Sequence, residues 1–408
     1  MQVSSPAQQA PPPEQGILNC PGARKALAGF FVSGVLLAFL GAILPSWQAH
    51  LSSEYSTVGL YFVGLIVGLL GSVWASPPLL EKKGIGWTLS FACGTAAAAL
   101  IILALVSPPF SAWGRVAGMA VLGFSAGILH TAIFHAISPM YRHDPAATVN
   151  LGGILFGLGC LVVALLVSGT FYAYTAPMIQ LWIAAIPGSF AVIYSRTRYE
   201  QQPVPHPPSP RAILSELSSP GAILFSLLLF FQFGNEWAVA GWLPLFLIQR
   251  LGISPVASLL MLALYWLALL IGRIAAQWVL PRVRHGRLLM GSVIASVLGC
   301  MVLLSTDNRF GAISGILLLG CAFAPIYPLL VEKIGHRFPH YHPGQYNGLF
   351  SLAIVGGLLA PCTLGYFASL WGVEVVMELP LAGSIVVFVL SLLIALESKL
   401  SASARGTA

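Results

Sequence analysis

GNEWAVAGWLPLFLIQRLGISPVASLLMLALYWLALLIGR, residues 234–273, holds only three charged side chains, Glu236, Arg250 and Arg273. On either side of Arg250 the apolar run extends for roughly 20 residues, enough to cross about 30 Å of hydrocarbon at 1.5 Å per residue. A helix that is apolar all round has no face to turn to water, so it must lie in a protein core or a membrane. The stretch therefore reads as parts of two membrane-spanning helices joined by a short turn.

The rest of the chain has the same character. Its 408 residues are 57% hydrophobic and 8% charged, with a mean hydropathy of +0.87; a soluble domain carries about 25% charged residues. Apolar runs predict twelve spans, at 26–49, 57–80, 86–107, 113–136, 147–169, 175–195, 221–247, 255–280, 288–305, 311–333, 345–368 and 374–396. Residues 1–25 are read as an N-terminal tail, 26–195 as one six-helix bundle, 196–220 as a linker, 221–396 as a second bundle and 397–408 as a C-terminal tail. The first 22 residues are rich in Pro, Gln and Ser and lack the basic start and apolar core of a signal peptide, so they read as disordered. The linker contains QQPVPHPPSP, too Pro-rich for a continuous helix and suited to a semi-rigid spacer.

The formal charge of +7 comes from basic residues scattered through short loops, a placement that orients a chain in a membrane and does not form a nucleic-acid surface. With both termini cytoplasmic, the inner segments hold fifteen Lys and Arg, the outer loops hold Arg115, Arg250 and Arg309, and Arg273 lies within a span. That bias fits an even number of spans in a membrane of the bacterial inner type. The six cysteines are isolated, with no CxxC pair, and read as small buried hydrophobes. No motif calls for a cofactor or a metal; the histidines of HRFPHYHP (336–343) are interrupted by Pro339. The expected partners are the lipid bilayer, a small solute and protons, with the chain acting as a monomer.

The two bundles look like a duplication. Adding 197 to Gly123, His130 and Asn150 gives Gly320, Tyr327 and Asn347, and Leu122 falls on Leu319. Such parallel halves, related by an axis along the membrane normal, are the arrangement of the major facilitator superfamily. From residue 234 onward the chain resembles that superfamily's fucose permease family of sugar–proton symporters. The matching residues are Gly234, Glu236 and Trp242 in span seven and Gly272–Arg273 at the end of span eight, with GCAFAPIYPLL (320–330) in span ten and VNLGGILFGLG (149–159) in span five. The resemblance implies an all-α integral membrane fold of twelve helices in two pseudo-symmetric six-helix bundles, and a sugar-like solute. Two departures stand out: span one holds no acid, and span four carries His130 where the relatives have one.

Ionisable residues inside membranes are rare and usually face the bundle interior. Glu236 lies about fifteen residues into span seven, roughly 22 Å from its cytoplasmic start, with Gln232 one turn before it and Asn235 and Trp237 beside it. Hydrogen-bonding groups next to an aromatic plate suit a pyranose, so Gln232, Asn235, Glu236, Trp237, Trp266, Tyr327 and His130 are the expected solute-binding residues. Glu236 and His130 are the proton-coupling candidates, although a structural Glu and a buried neutral His are the plainer alternatives. Arg273 and Glu332 sit at comparable depth and are expected to pair as a cytoplasmic gate, with Asn150 and Asn347 at nearby helix entries.

The leading expectation is a secondary transporter of a small polar solute working by alternating access. A drug or metabolite exporter of the same fold, a membrane-embedded transferase and a receptor-like binder are the rivals. Single cysteines introduced within 200–210 should resist an impermeant thiol reagent in intact cells and react after permeabilisation. Labelling from outside would overturn the orientation.

Overall fold

The computed structural model describes residues 21–48, 54–138, 140, 145–199, 211, 219–279, 282–337 and 348–406. Among them, twelve helices are long and apolar enough to cross a membrane: Gly22–Trp47, Tyr55–Lys83, Ile85–Leu105, Ala112–Ala136, Thr148–Thr170, Ala176–Ser195, Pro220–Leu251, Pro255–Ala276, His285–Ser305, Arg309–Gly335, Ala353–Trp371 and Val375–Ser398. They follow the expected order as spans one to twelve. Span ten is broken: one helix ends at Phe323 and another begins at Ile326. Pro325 stands at the junction, where its ring removes an N–H and clashes with the preceding turn. Both expected tails are partly helical. A short helix, Pro21–Leu27, precedes Gly29, and the last helix continues to Gly406. There Glu397 pairs with Arg337 of span ten and ties the extension to the bundle.

The helices pack in two sets with the same internal plan. Span one packs on five, two on four and three on six; likewise seven packs on eleven, eight on ten and nine on twelve. Between helices in lipid there is little hydrophobic drive, so close backbone approach at small residues supplies the attraction. The duplicated glycines serve this purpose. A Cβ on Gly123 would strike the Leu65 carbonyl of span two, and one on Gly320 would lie 2.8 Å from the Tyr265 carbonyl of span eight. Each halves' Gly, matched by the offset of 197, holds the corresponding pair of helices together.

The bundles meet along spans two and eleven, five and eight, and one and seven. Toward the ends of the helices away from the two termini, Gly365 leaves room for the Gly59 backbone, and Gly41 lies against Ala240 and Gly241. Trp242 of span seven stacks on Phe62 of span two at 6.2 Å and donates to the Pro361 carbonyl at 2.9 Å. At that end the two bundles are thus in backbone-level contact.

Replacing Gly123 or Gly320 by Val should each lower stability by roughly 1–3 kcal/mol through overpacking, read as the thermal unfolding midpoint in detergent. Gly94, whose added Cβ would meet nothing within 4 Å, is the control and should tolerate the same change. Equal losses at all three positions would contradict this packing.

Candidate functional site

Span seven uses its faces for different partners, and this division creates the site. Its Phe230 and Gly234 side packs on Gly356 of span eleven. Asn235 turns to span twelve, where its amide donates to Ser384 Oγ at 3.3 Å and its carbonyl abuts Gly383. The expected solute contact at Asn235 is therefore corrected: one residue back from Glu236 is about 100° around the helix, and that direction is a helix–helix joint. Glu236 and Gln232, one turn apart, remain on the same face.

Opposite Glu236 stands Arg273 of span eight. Its Nη2 is 3.3 Å from Glu236 Oε1, and the two side chains are 8% and 10% exposed. Arg273 Nη1 donates to the Gly153 carbonyl of span five at 2.7 Å. The expected gate pair of Arg273 with Glu332 is not formed; Glu332 meets His285 at 3.0 Å instead. The physical reason is reach. Depth counted along the helix axis matched Arg273 to Glu332, but a long arginine side chain extends well over a helical turn and finds the carboxylate nearer mid-membrane.

Around this pair lie polar atoms with no protein partner. Both amide atoms of Gln232, the indole N–H of Trp266 and Nε of Arg273 are buried and unpaired. Buried polar groups are nearly always satisfied, so a cluster of exceptions signals a place for something else to bind. Gln232 and Trp266 are each 1% exposed. Tyr265 reaches the Glu236 backbone carbonyl at 3.4 Å. Aromatic plates complete the wall: Trp237 lies 6.3 Å from Trp266 and 6.0 Å from Phe156 of span five. Tyr327 packs edge-on to Phe233 at 5.1 Å.

His130 is elsewhere on the N-terminal wall. Its ring sits between Phe30 at 5.7 Å and Phe134 at 4.9 Å, with Nδ1 buried and unpaired; the structure does not bring it against the Glu236–Arg273 pair. Asn150 is buried with its amide nitrogen unpaired, one turn before Gly153 on span five. Asn347 lies outside the described residues. Sequence reasoning missed Gly153 and Tyr265. The glycine run in VNLGGILFGLG was noted, but nothing in it announces that one carbonyl receives an arginine from the other bundle.

Arg115 shows what a structural cation looks like in this fold. It is buried in the first turn of span four, donating to Tyr61 at 2.7 Å and to the carbonyls of Phe110 and Val106 at 2.9 and 3.2 Å. Arg273 differs in having a carboxylate partner and an open donor.

Comparison with known proteins agrees with this architecture. A sequence profile described as the Major Facilitator Superfamily matches residues 146–355. An uncharacterised MFS-type transporter of Yersinia pestis is 21% identical over 350 residues, covering 85% of this chain and 88% of its own. A glucose/mannose transporter, GlcP, of Bacillus subtilis is 21% identical over 351 residues, covering 83% and 86%. Among solved structures, the nucleoside transporter NupG superposes with a TM-score of 0.68 at 14% identity, covering 91% of this chain and 99% of its own. The E. coli fucose:proton symporter FucP superposes with a TM-score of 0.61 at 15% identity, covering 91% and 98%.

Removing one member of the pair, as in Glu236→Leu or Arg273→Met, should destabilise the protein by roughly 3–5 kcal/mol because a buried charge loses its partner. The double variant should lose much less than the sum, as a thermal double-mutant cycle would show. Additive losses would mean that the two charges do not depend on each other.

Proposed function

The chain belongs to the Major Facilitator Superfamily, and from that premise we propose that it is a secondary transporter of a neutral, polyhydroxylated solute of monosaccharide size. The two bundles rock about the site beside Glu236 and Arg273, opening it to one side of the membrane at a time. The observation that carries this reading is the composition of the site: a buried carboxylate and guanidinium that cancel in charge, ringed by unpaired hydrogen-bonding atoms and indole plates.

Each part has a use for a sugar. Gln232 offers an amide donor and acceptor, Trp266 and Arg273 offer N–H donors, and Glu236 accepts from hydroxyls. Trp237 and Trp266, packed edge to face, form an apolar corner against which a pyranose face rests. A charged solute would have to be stripped of water and would upset the balance of the pair, whereas a neutral polyol replaces its water hydrogen bonds one for one. Among similar proteins, GlcP is a glucose/mannose transporter and FucP a fucose:proton symporter, and NupG is a transporter of nucleosides, which also carry a sugar ring.

Glu236 is our candidate for proton coupling, because it is the carboxylate beside the unpaired donors that the solute would engage. The membrane is of the bacterial inner type, with both termini and the linker in the cytoplasm, as the distribution of Lys and Arg supports.

The test is uptake of labelled hexoses, pentoses and nucleosides into proteoliposomes, with and without a pH gradient. Concentrative uptake of a neutral sugar driven by an inward proton gradient is expected. In Glu236→Gln that accumulation should vanish while counterflow exchange persists, since Gln mimics a permanently protonated Glu. Export of lipophilic cations without sugar movement would overturn the reading. Unchanged accumulation in Glu236→Gln would remove Glu236 from coupling and leave His130 as the candidate.

A further inference from the structure

We infer that Arg273 is a latch between the two bundles, held shut by the negative charge of Glu236. The inference rests on the reading above only in taking Glu236 as the group that a proton or a solute hydroxyl engages.

One guanidinium serves both halves of the molecule. Its Nη2 faces Glu236 within its own bundle at 3.3 Å, and its Nη1 donates to Gly153 of the other bundle at 2.7 Å. The planar fork of arginine makes this division possible; the single ammonium of lysine would not span both acceptors in the same way. Residue 153 is glycine at the point of contact, where a Cβ would lie 3.1 Å from Nη1 and crowd the guanidinium.

Among the described residues, the Arg273–Gly153 bond is the hydrogen bond that joins spans five and eight at this end. One turn further out, Gly157 meets Leu270 at ordinary van der Waals distance, 3.8 Å from the position of an added Cβ. At the outer end Ser168 donates to the Val256 carbonyl at 3.3 Å. By contrast, the outer contacts of spans two with eleven and one with seven are backbone against glycine, with no charge involved. The inner link therefore responds to the charge on Glu236, and the outer contacts do not.

Neutralising Glu236 changes the balance at Arg273. A carbonyl is a dipole and cannot replace a counter-charge, so a guanidinium left with Gly153 and an unpaired Nε bears most of the penalty for its burial. Water is near: Arg273 is six residues from Val279, the last of its helix, about 9 Å along the axis. The side chain then turns toward the cytoplasm, as long basic side chains do near helix ends, and releases Gly153. Spans five and eight part at their inner ends while the outer contacts stay closed.

Hydrogen exchange of the purified full-length protein tests this without any solute. In Glu236→Gln and in Arg273→Lys, exchange at the inner turns of spans five (148–154) and eight (270–276) should rise by about tenfold, with spans two and eleven unchanged at their outer ends. Unchanged exchange at the inner turns of Glu236→Gln, or an equal rise at both membrane faces, would each overturn the latch. Because the readout needs no solute, absence of sugar uptake would sink the transport reading and leave the latch standing. Normal uptake with no exchange difference would sink the latch alone.

Discussion

A charge in the middle of a membrane protein must find an opposite charge or water, and in this chain that constraint joins Glu236 to Arg273. Neither residue is tolerable alone at its burial, since stripping an ion of water costs several kcal/mol that only a well-placed partner offsets. The pair fixes the relative rotation of spans seven and eight, because Glu236 and Arg273 must face each other across the joint. With that rotation set, Gln232 and Trp266 follow onto the same wall. The site is therefore a consequence of how two helices satisfy their charges.

The scaffold around the pair is built from glycine. Gly123 and Gly320 seat the second and third-from-last helix pairs of their halves in equivalent ways, and Gly59, Gly365 and Gly41 bring the halves together outside. Such contacts are insensitive to charge and to solute, so they serve as fulcrums. Polar links, by contrast, can be made and broken by a proton or a hydroxyl. The polar link at Arg273 and these glycine contacts lie toward opposite ends of the seam between the bundles.

Much of this was legible in the sequence, and the parts that were not have physical reasons. Twelve apolar runs announce twelve helices because lipid leaves a backbone no other way to satisfy its hydrogen bonds. The rarity of an acid in such a run pointed to Glu236, and the helical period put Gln232 beside it. The partner of Arg273 was misjudged because sequence depth ignores the length of the side chain. Asn235 was misjudged because adjacency along the chain is not adjacency in space: it bonds Ser384 of span twelve. The break in span ten at Pro325 was visible as a residue but not as a consequence, since a proline within a membrane helix either kinks it or divides it. That Gly153 receives Arg273 depends on how spans five and eight cross, which no local pattern encodes.

The central claim is that solute binds against the Glu236–Arg273 pair, beside the Trp237 and Trp266 indoles. Cryo-electron microscopy of the protein in lipid nanodiscs, saturated with a monosaccharide that it takes up in liposomes, tests this most directly. The account predicts density for one sugar ring lying on the indole plates, with hydroxyls within hydrogen-bond distance of the Gln232 amide and Glu236. Sugar density confined to the His130 wall, with Gln232 and Trp266 left untouched, would contradict it.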